Sequence, residues 1–141
     1  VYSNGVLHHT PHTHRVVDEI YRVLRPGGTA IIMMYAEYSI HYWWFLVYRL
    51  GLQYDMLKTW SIGEIMSRRV EVTRNDARPL VKVYSARRLK QMFGKFEHKR
   101  VYKRQLAKGE LPERLQWLPL SLMERLGGWN VIIKAEKPAR S

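Results

Sequence analysis

The spacing of apolar positions changes several times along the chain, and each change marks an element. Val1 and Tyr2 end an apolar run that breaks at Ser3-Asn4-Gly5, as at the exit of a strand. Further on, Val16, Val17, Ile20, Tyr21, Val23 and Leu24 recur at helical spacing, with Arg15, Asp18, Glu19, Arg22 and Arg25 on the other face. Thr10-Pro11 suits the entry of that helix, since a hydroxyl can cap and proline fits a first turn. Pro26-Gly27-Gly28 stops it. Residues 29–35, TAIIMMY, are apolar throughout and of strand length, which predicts a strand covered on both faces, as in parallel sheets. Strand, helix and strand together make a right-handed crossover unit.

Residues 38–66 differ in kind, being crowded with aromatic side chains and helical in length, with Gly51 as the expected break. Tyr38, Tyr42, Phe45 and Leu52 can share one helical stripe, and His41, Trp44 and Tyr48 another, so this helix is apolar nearly all round. Residues 67–79 are basic and without period. Ser85 then caps a short helix whose Leu89, Met92 and Phe93 face inward and which Gly94 stops. A strand is expected over 98–105 and a helical stretch over 111–126, interrupted by Pro119. The segment 129–135, WNVIIKA, predicts a last strand, buried on both faces and lying antiparallel beside Val101 to close the sheet edge.

Composition narrows the picture. The 141 residues suffice for one domain, and 46% hydrophobic with 26% charged residues is globular composition. The chain has no cysteine, which excludes disulfides and thiolate metal sites and fits a reducing, cytoplasmic setting. No uncharged stretch reaches the roughly 20 residues of a membrane-spanning helix. Residues 67–108 hold 14 of the 24 Lys and Arg and three of the 12 acids, so nearly all of the net charge of +12 belongs to this one stretch.

The succession SNGVLHH, helix, RVLRPGG and apolar strand resembles the second half of class I, Rossmann-like S-adenosylmethionine-dependent methyltransferases. VKVYSARRLKQMF resembles the helix before that family's sixth strand, and GWNVIIKAEKP its antiparallel seventh. The resemblance implies an α/β fold: the C-terminal half of a methyltransferase sheet, fourth to seventh strands, as one partial domain over 1–141 with a helical aromatic insert at 36–79. It implies that the Gly-rich loop and the acidic residue that hold the methionine moiety and ribose precede Val1 in a longer enzyme. It also implies S-adenosylmethionine as cofactor, with Ser3, Asn4, Gly5 and Val6 lining its pocket, and a small, apolar or aromatic acceptor. In this family, inserts after the fifth strand often cover the acceptor.

The chemistry of the residues runs parallel to this. Residues 3–9 leave the carboxyl end of a strand, where open parallel sheets bind ligands. His8 and His9 can take a proton near neutral pH, and His41 and Tyr42 offer polar tips from the insert, so these four are the catalytic candidates. The run HHTPHTH invites a metal reading through His12 and His14, but it lacks a Cys, Asp or Glu to complete a familiar site, and none is assigned. His12 stands where related sequences commonly carry an acidic helix cap. The insert can be core, a substrate lid, or an aromatic face on a membrane surface, and its start at the carboxyl end of the preceding strand places it over the acceptor pocket. The alternative function is a non-catalytic basic module that binds anionic membrane or RNA through residues 67–108, with nucleic acid the lesser of the two.

Overall fold

The computed structural model describes residues 1–70 and 78–139; the part of the basic stretch from 71 to 77 lies outside them. Five strands form one open sheet in the order β1-β2-β5-β4, where β1 is Tyr2–Asn4, β2 Thr29–Ala36, β4 Glu97–Arg104 and β5 Asn130–Glu136. The two-residue β3, Val83–Tyr84, pairs parallel with Tyr35 and Ala36, taking the side of β2 that β1 leaves. β5 runs antiparallel to both β2 and β4, so it alone opposes the other strands. As the sequence predicts, the segment pairs with Val101, opposite Ile133. It lies inside the sheet, however, and β4 forms the edge.

Helix α1, Thr13–Val23, buries Val17 and Ile20 of the expected stripe and bonds Arg22 to Glu19 on the outer face at 2.8 Å, but Val23, expected on the stripe, is exposed. It begins at Thr13, two residues after the expected Pro11. His12 occupies the cap and makes no side-chain cap bond, while the Thr10 hydroxyl accepts only the His12 N–H at 3.3 Å. At the other end Pro26-Gly27 turns the chain, Gly27 with φ of +73°. The Lys137 ammonium bonds the Tyr21 and Leu24 carbonyls at 2.9 and 2.8 Å, meeting the negative end of the helix.

The main core lies on one face of the sheet. Ala30, Ile32, Met34 and Ala36 of β2 and Val131, Ile133 and Ala135 of β5 meet Val17 and Ile20 of α1. Leu89 and Phe93 join them from α3 (Ala86–Met92) and the residue after it. Ser85 caps α3 as expected, accepting the Arg88 N–H at 3.3 Å. The alternate positions of β2 and β5 are only half-buried and Lys134 is exposed, so neither strand is fully covered on both faces. A long apolar run shows that a strand is interior to the sheet more reliably than it shows how both faces are covered.

A second cluster gathers Leu46, Ile65, Met66, Val81 and Trp129 with Tyr35 and Val83, from the opposite face of β2 and β3. It holds the insert, a π-helix over His41–Gln53, a 3-10 turn over Met56–Lys58, and α2 over Ile62–Arg69 with a Ser61–Glu64 capping box. Two expectations are corrected here. The helix runs through Gly51 and ends at Tyr54, whose N–H bonds the Arg49 carbonyl five residues back at 3.0 Å. Its inward positions fall in two rows spaced by four and five residues, His41, Phe45 and Leu50 beside Tyr42, Leu46 and Gly51, so of the first expected stripe only Tyr42 and Phe45 face inward. Tyr38, Trp43, Trp44, Tyr48 and Leu52 are exposed, although Trp44 and Tyr48 stack on each other at 4.8 Å. The wider winding of i→i+5 bonding is the cause. Gly51 serves packing, since a Cβ there would lie 2.6 Å from Leu57 Cδ1.

The predicted stretch 111–126 holds a 3-10 turn at Glu113–Leu115 and, after Pro119, α4 over Leu120–Gly127. Gly128 then turns the chain into β5, where a Cβ would lie 2.6 Å from both the Arg104 and Glu124 carbonyl oxygens. Gly128→Ala should therefore cost about 1–3 kcal/mol, because backbone must move. Gly51→Ala should cost less, because its nearest obstacle is a half-free leucine side chain. Urea denaturation of the two variants checks the ranking. Among the described residues no helix is long and apolar enough to cross a membrane.

Candidate active site

At the carboxyl end of β1 the chain passes Asn4, turns left-handed at Gly5 with φ of +72°, and enters a 3-10 turn over Leu7–His9. The positive φ is what requires glycine there, since an added Cβ would meet only Met33 Cε at an ordinary 3.7 Å. Ser3 and Gly5 are half-buried, and Asn4 and Val6 are exposed. This short rim therefore presents an amide, a bare backbone and an apolar side chain side by side.

The histidine turn is held from two directions. The Lys82 N–H bonds the His8 carbonyl at 3.2 Å, and His9 Nδ1 lies 2.8 Å from the Leu80 carbonyl. A carbonyl only accepts, so His9 carries a proton on Nδ1. Beneath them Thr13 Oγ1 donates to the Leu7 carbonyl at 3.2 Å, shares a 2.7 Å bond with the Tyr84 hydroxyl, and accepts from Lys82 Nζ at 2.9 Å. Thr13, Lys82 and Tyr84 escape sequence reading, because the bonds join positions about 70 apart.

His8 is fully buried, and neither ring nitrogen has a partner among the described residues. Burial, with the nearby His9 second, lowers its pKa from 6.5 to about 4, so it is neutral at pH 7. Its ring lies 4.1 Å from that of His9 on one side and 4.1 Å from that of Tyr35 on the other. The series continues: Tyr35 stacks on Trp129 at 4.4 Å, Trp129 meets His41 at 4.8 Å, and His41 meets Phe45 at 5.0 Å. One run of rings thus crosses the carboxyl ends of β1 and β2 and joins three of the four catalytic candidates.

His41 is anchored further, with Nδ1 2.8 Å from Glu110 Oε1 and both side chains largely buried. Tyr42, the fourth candidate, stands beside the run and outside it, packed in the second cluster with its edge toward Trp43. Burial, with Glu37 second, raises its phenol pKa, so its hydroxyl stays protonated at neutral pH. His12 and His14 meet edge to face at 6.4 Å, and among the described residues no group of three or more His, Asp or Glu is placed to hold a metal.

Several cations of the basic stretch are engaged inside the chain. Lys95 pairs with Asp18 at 2.7 Å, Lys82 lies over the histidine turn, and Arg104 sits over the Tyr102 ring at 5.3 Å. Lys103 bonds the Tyr38 and Leu126 carbonyls, which ties the edge strand to the insert and α4. Arg87, Lys90 and Arg100 remain on the surface.

Residues 1–32 match a family model described as a methyltransferase domain. No curated protein matches the chain. Among solved structures, the fold is similar to a chain in a complex between the Trm112 methyltransferase activator of Haloferax volcanii and a protein described as a methyltransferase. The TM-score is 0.51 at 16% identity, and the likeness covers 100% of this chain and 54% of that one. The chain thus spans about half the length of the solved chain it matches. What is alike is the fold, a mixed α/β architecture on an open sheet.

Proposed function

We propose that the chain is the C-terminal part of a class I methyltransferase that moves a methyl group from S-adenosylmethionine to a small apolar or aromatic acceptor. The observation that carries this reading is the sheet: β1-β2-β5-β4 with β5 alone antiparallel, opening at its carboxyl end onto the Gly5 turn and the run of rings. The residues present fit one wall of a cofactor site. Ser3, Asn4, Gly5 and Val6 would hold it, offering polar, bare-backbone and apolar contact within four residues. When bound, S-adenosylmethionine supplies a methyl group made electrophilic by a sulfonium.

The chain's own side chains supply the surroundings. Tyr35, Trp129 and Phe45 exclude water, and their π faces favour a nearby cation. His8, uncharged at neutral pH, adds no repulsion to it. His9, bonded through Nδ1, keeps its lone pair on Nε2 when neutral. The insert, rising directly after β2, serves as the acceptor's lid, with His41 and Tyr42 on its sheet-facing side.

The test is transfer of labelled methyl from S-adenosylmethionine to a panel of phenolic and apolar acceptors by the full-length protein. Gly5→Val, strained at positive φ, should weaken cofactor binding about tenfold or more with the fold intact by circular dichroism. His41→Ala and Tyr42→Phe should change turnover or acceptor choice and leave cofactor affinity within about twofold. Absence of both binding and transfer in the parent would overturn the reading.

A further inference from the structure

We infer that Glu110 is a positioning residue that fixes the tautomer of His41, making Nε2 of that ring the proton acceptor for the methylated group. The inference rests on the methyl-transfer reading and adds a residue from outside the insert.

Glu110 closes a short 3-10 turn over Lys108–Glu110, and both its carboxylate oxygens are engaged. Oε2 accepts the Ala107 N–H at 2.8 Å, and Oε1 lies 2.8 Å from His41 Nδ1. A carboxylate has only acceptors to offer, so Nδ1 carries a hydrogen, and in the neutral ring Nε2 keeps the lone pair. The ring cannot readily turn, because Trp129 and Phe45 meet it at 4.8 and 5.0 Å.

A carboxylate behind one imidazole nitrogen holds the other ready to accept a proton and then meets the charge of the imidazolium. In the proposed step, an acceptor O–H or N–H bonds the methyl carbon through its heteroatom while its proton passes to Nε2. The electron pair of the broken S–C bond remains on sulfur as a neutral thioether.

The discriminating substitution is Glu110→Gln, which preserves size and shape. The Ala107 N–H remains a fixed donor and claims the amide oxygen, so the amide NH2 faces His41 and obliges Nδ1 to accept. The hydrogen then moves to Nε2, the wrong tautomer for a base. Long-range 1H–15N correlation on the histidine-labelled full-length protein should show Nδ1–H in the parent and Nε2–H in the variant. Turnover should fall about 100-fold with the KM for S-adenosylmethionine unchanged. Glu110→Ala, which removes the acceptor without inverting it, should give a mixture of tautomers and an intermediate loss.

An Nε2–H tautomer in the parent would overturn the inference, as would full turnover in Glu110→Gln once its tautomer has switched. A parent with Nδ1–H that transfers no methyl to any acceptor would sink the base role together with the reading beneath it. The tautomer signal tells these two failures apart.

Discussion

Truncating Phe93 to alanine is expected to lower the unfolding free energy by about 3–5 kcal/mol, the usual range for a large aromatic removed from a core. Phe93 is fully buried, and its ring meets that of Phe96 at 5.0 Å. Phe96 is in turn met edge-on by Tyr21 of α1 at 5.1 Å, so this one side chain joins α1, α3 and the sheet. A domain of this size has about 5–15 kcal/mol of stability in all, so the variant should be only marginally folded at 37 °C. Guanidinium denaturation monitored by tryptophan fluorescence measures the loss. Trp117→Ala is the control: that side chain is 79% exposed, and its removal should shift stability by less than about 0.5 kcal/mol. Equal losses in the two variants would mean that α3 does not pack where it is described.

The features legible in the sequence are those with a local cause. The helix over Val16 to Leu24, the Pro26-Gly27-Gly28 stop, the β2 strand and the Ser85 cap each follow from neighbouring residues and form where expected, although Val23 is exposed and β2 is covered fully on one face only. The antiparallel pairing of β5 with the strand of Val101 also follows, through the resemblance of its sequence to a final strand. The stripe expected at 3.6 residues holds Tyr42 and Phe45, which do pack inward, but five-residue hydrogen bonding brings Leu46, Leu50 and Gly51 to that side as well and leaves Tyr38 and Leu52 exposed. Gly51 departs from expectation for a related reason, since composition alone does not tell a helix-breaking glycine from one that admits Leu57.

The candidate site divides the same way. Ser3 to Val6 and the two histidines are visible as a strand exit. The contacts that give them character are not: Tyr35 on His8, Tyr84 on Thr13, and Glu110 on His41 bring together residues 27, 71 and 69 positions apart. No spacing rule reaches that far, because such pairs are set by sheet register and by where the insert docks. Glu110 in particular lies in the unremarkable run AKGE.

Replacing His8 by leucine is expected to abolish a fall in stability between pH 6.5 and pH 4. The sign follows from the proton balance. In the unfolded chain His8 takes up a proton near pH 6.5, whereas in the fold it stays neutral down to about pH 4. Between those values the unfolded state binds more protons, so stability rises with pH there and is lost as the pH falls through the window. Asp18 and Glu64, whose pKa values are lowered by their bonds to Lys95 and Ser61, lose their contributions only below the ordinary carboxylate range, outside most of that window. Urea titrations of parent and variant at half-unit pH steps isolate the histidine as a difference. At pH 7 the leucine variant should be the more stable by about 1 kcal/mol, because two buried nitrogens without partners are replaced by an apolar group of similar size. The fold thus keeps two buried nitrogens without hydrogen-bond partners at the carboxyl end of its sheet, where the rings of His9 and Tyr35 flank them at 4.1 Å. On the proposed methyl-transfer reading, a functional role for His8 predicts lower turnover by the full-length protein in a variant that is harder to unfold. Unchanged turnover, or a parent whose stability is flat from pH 6.5 to pH 4, would return His8 to the role of filler between His9 and Tyr35.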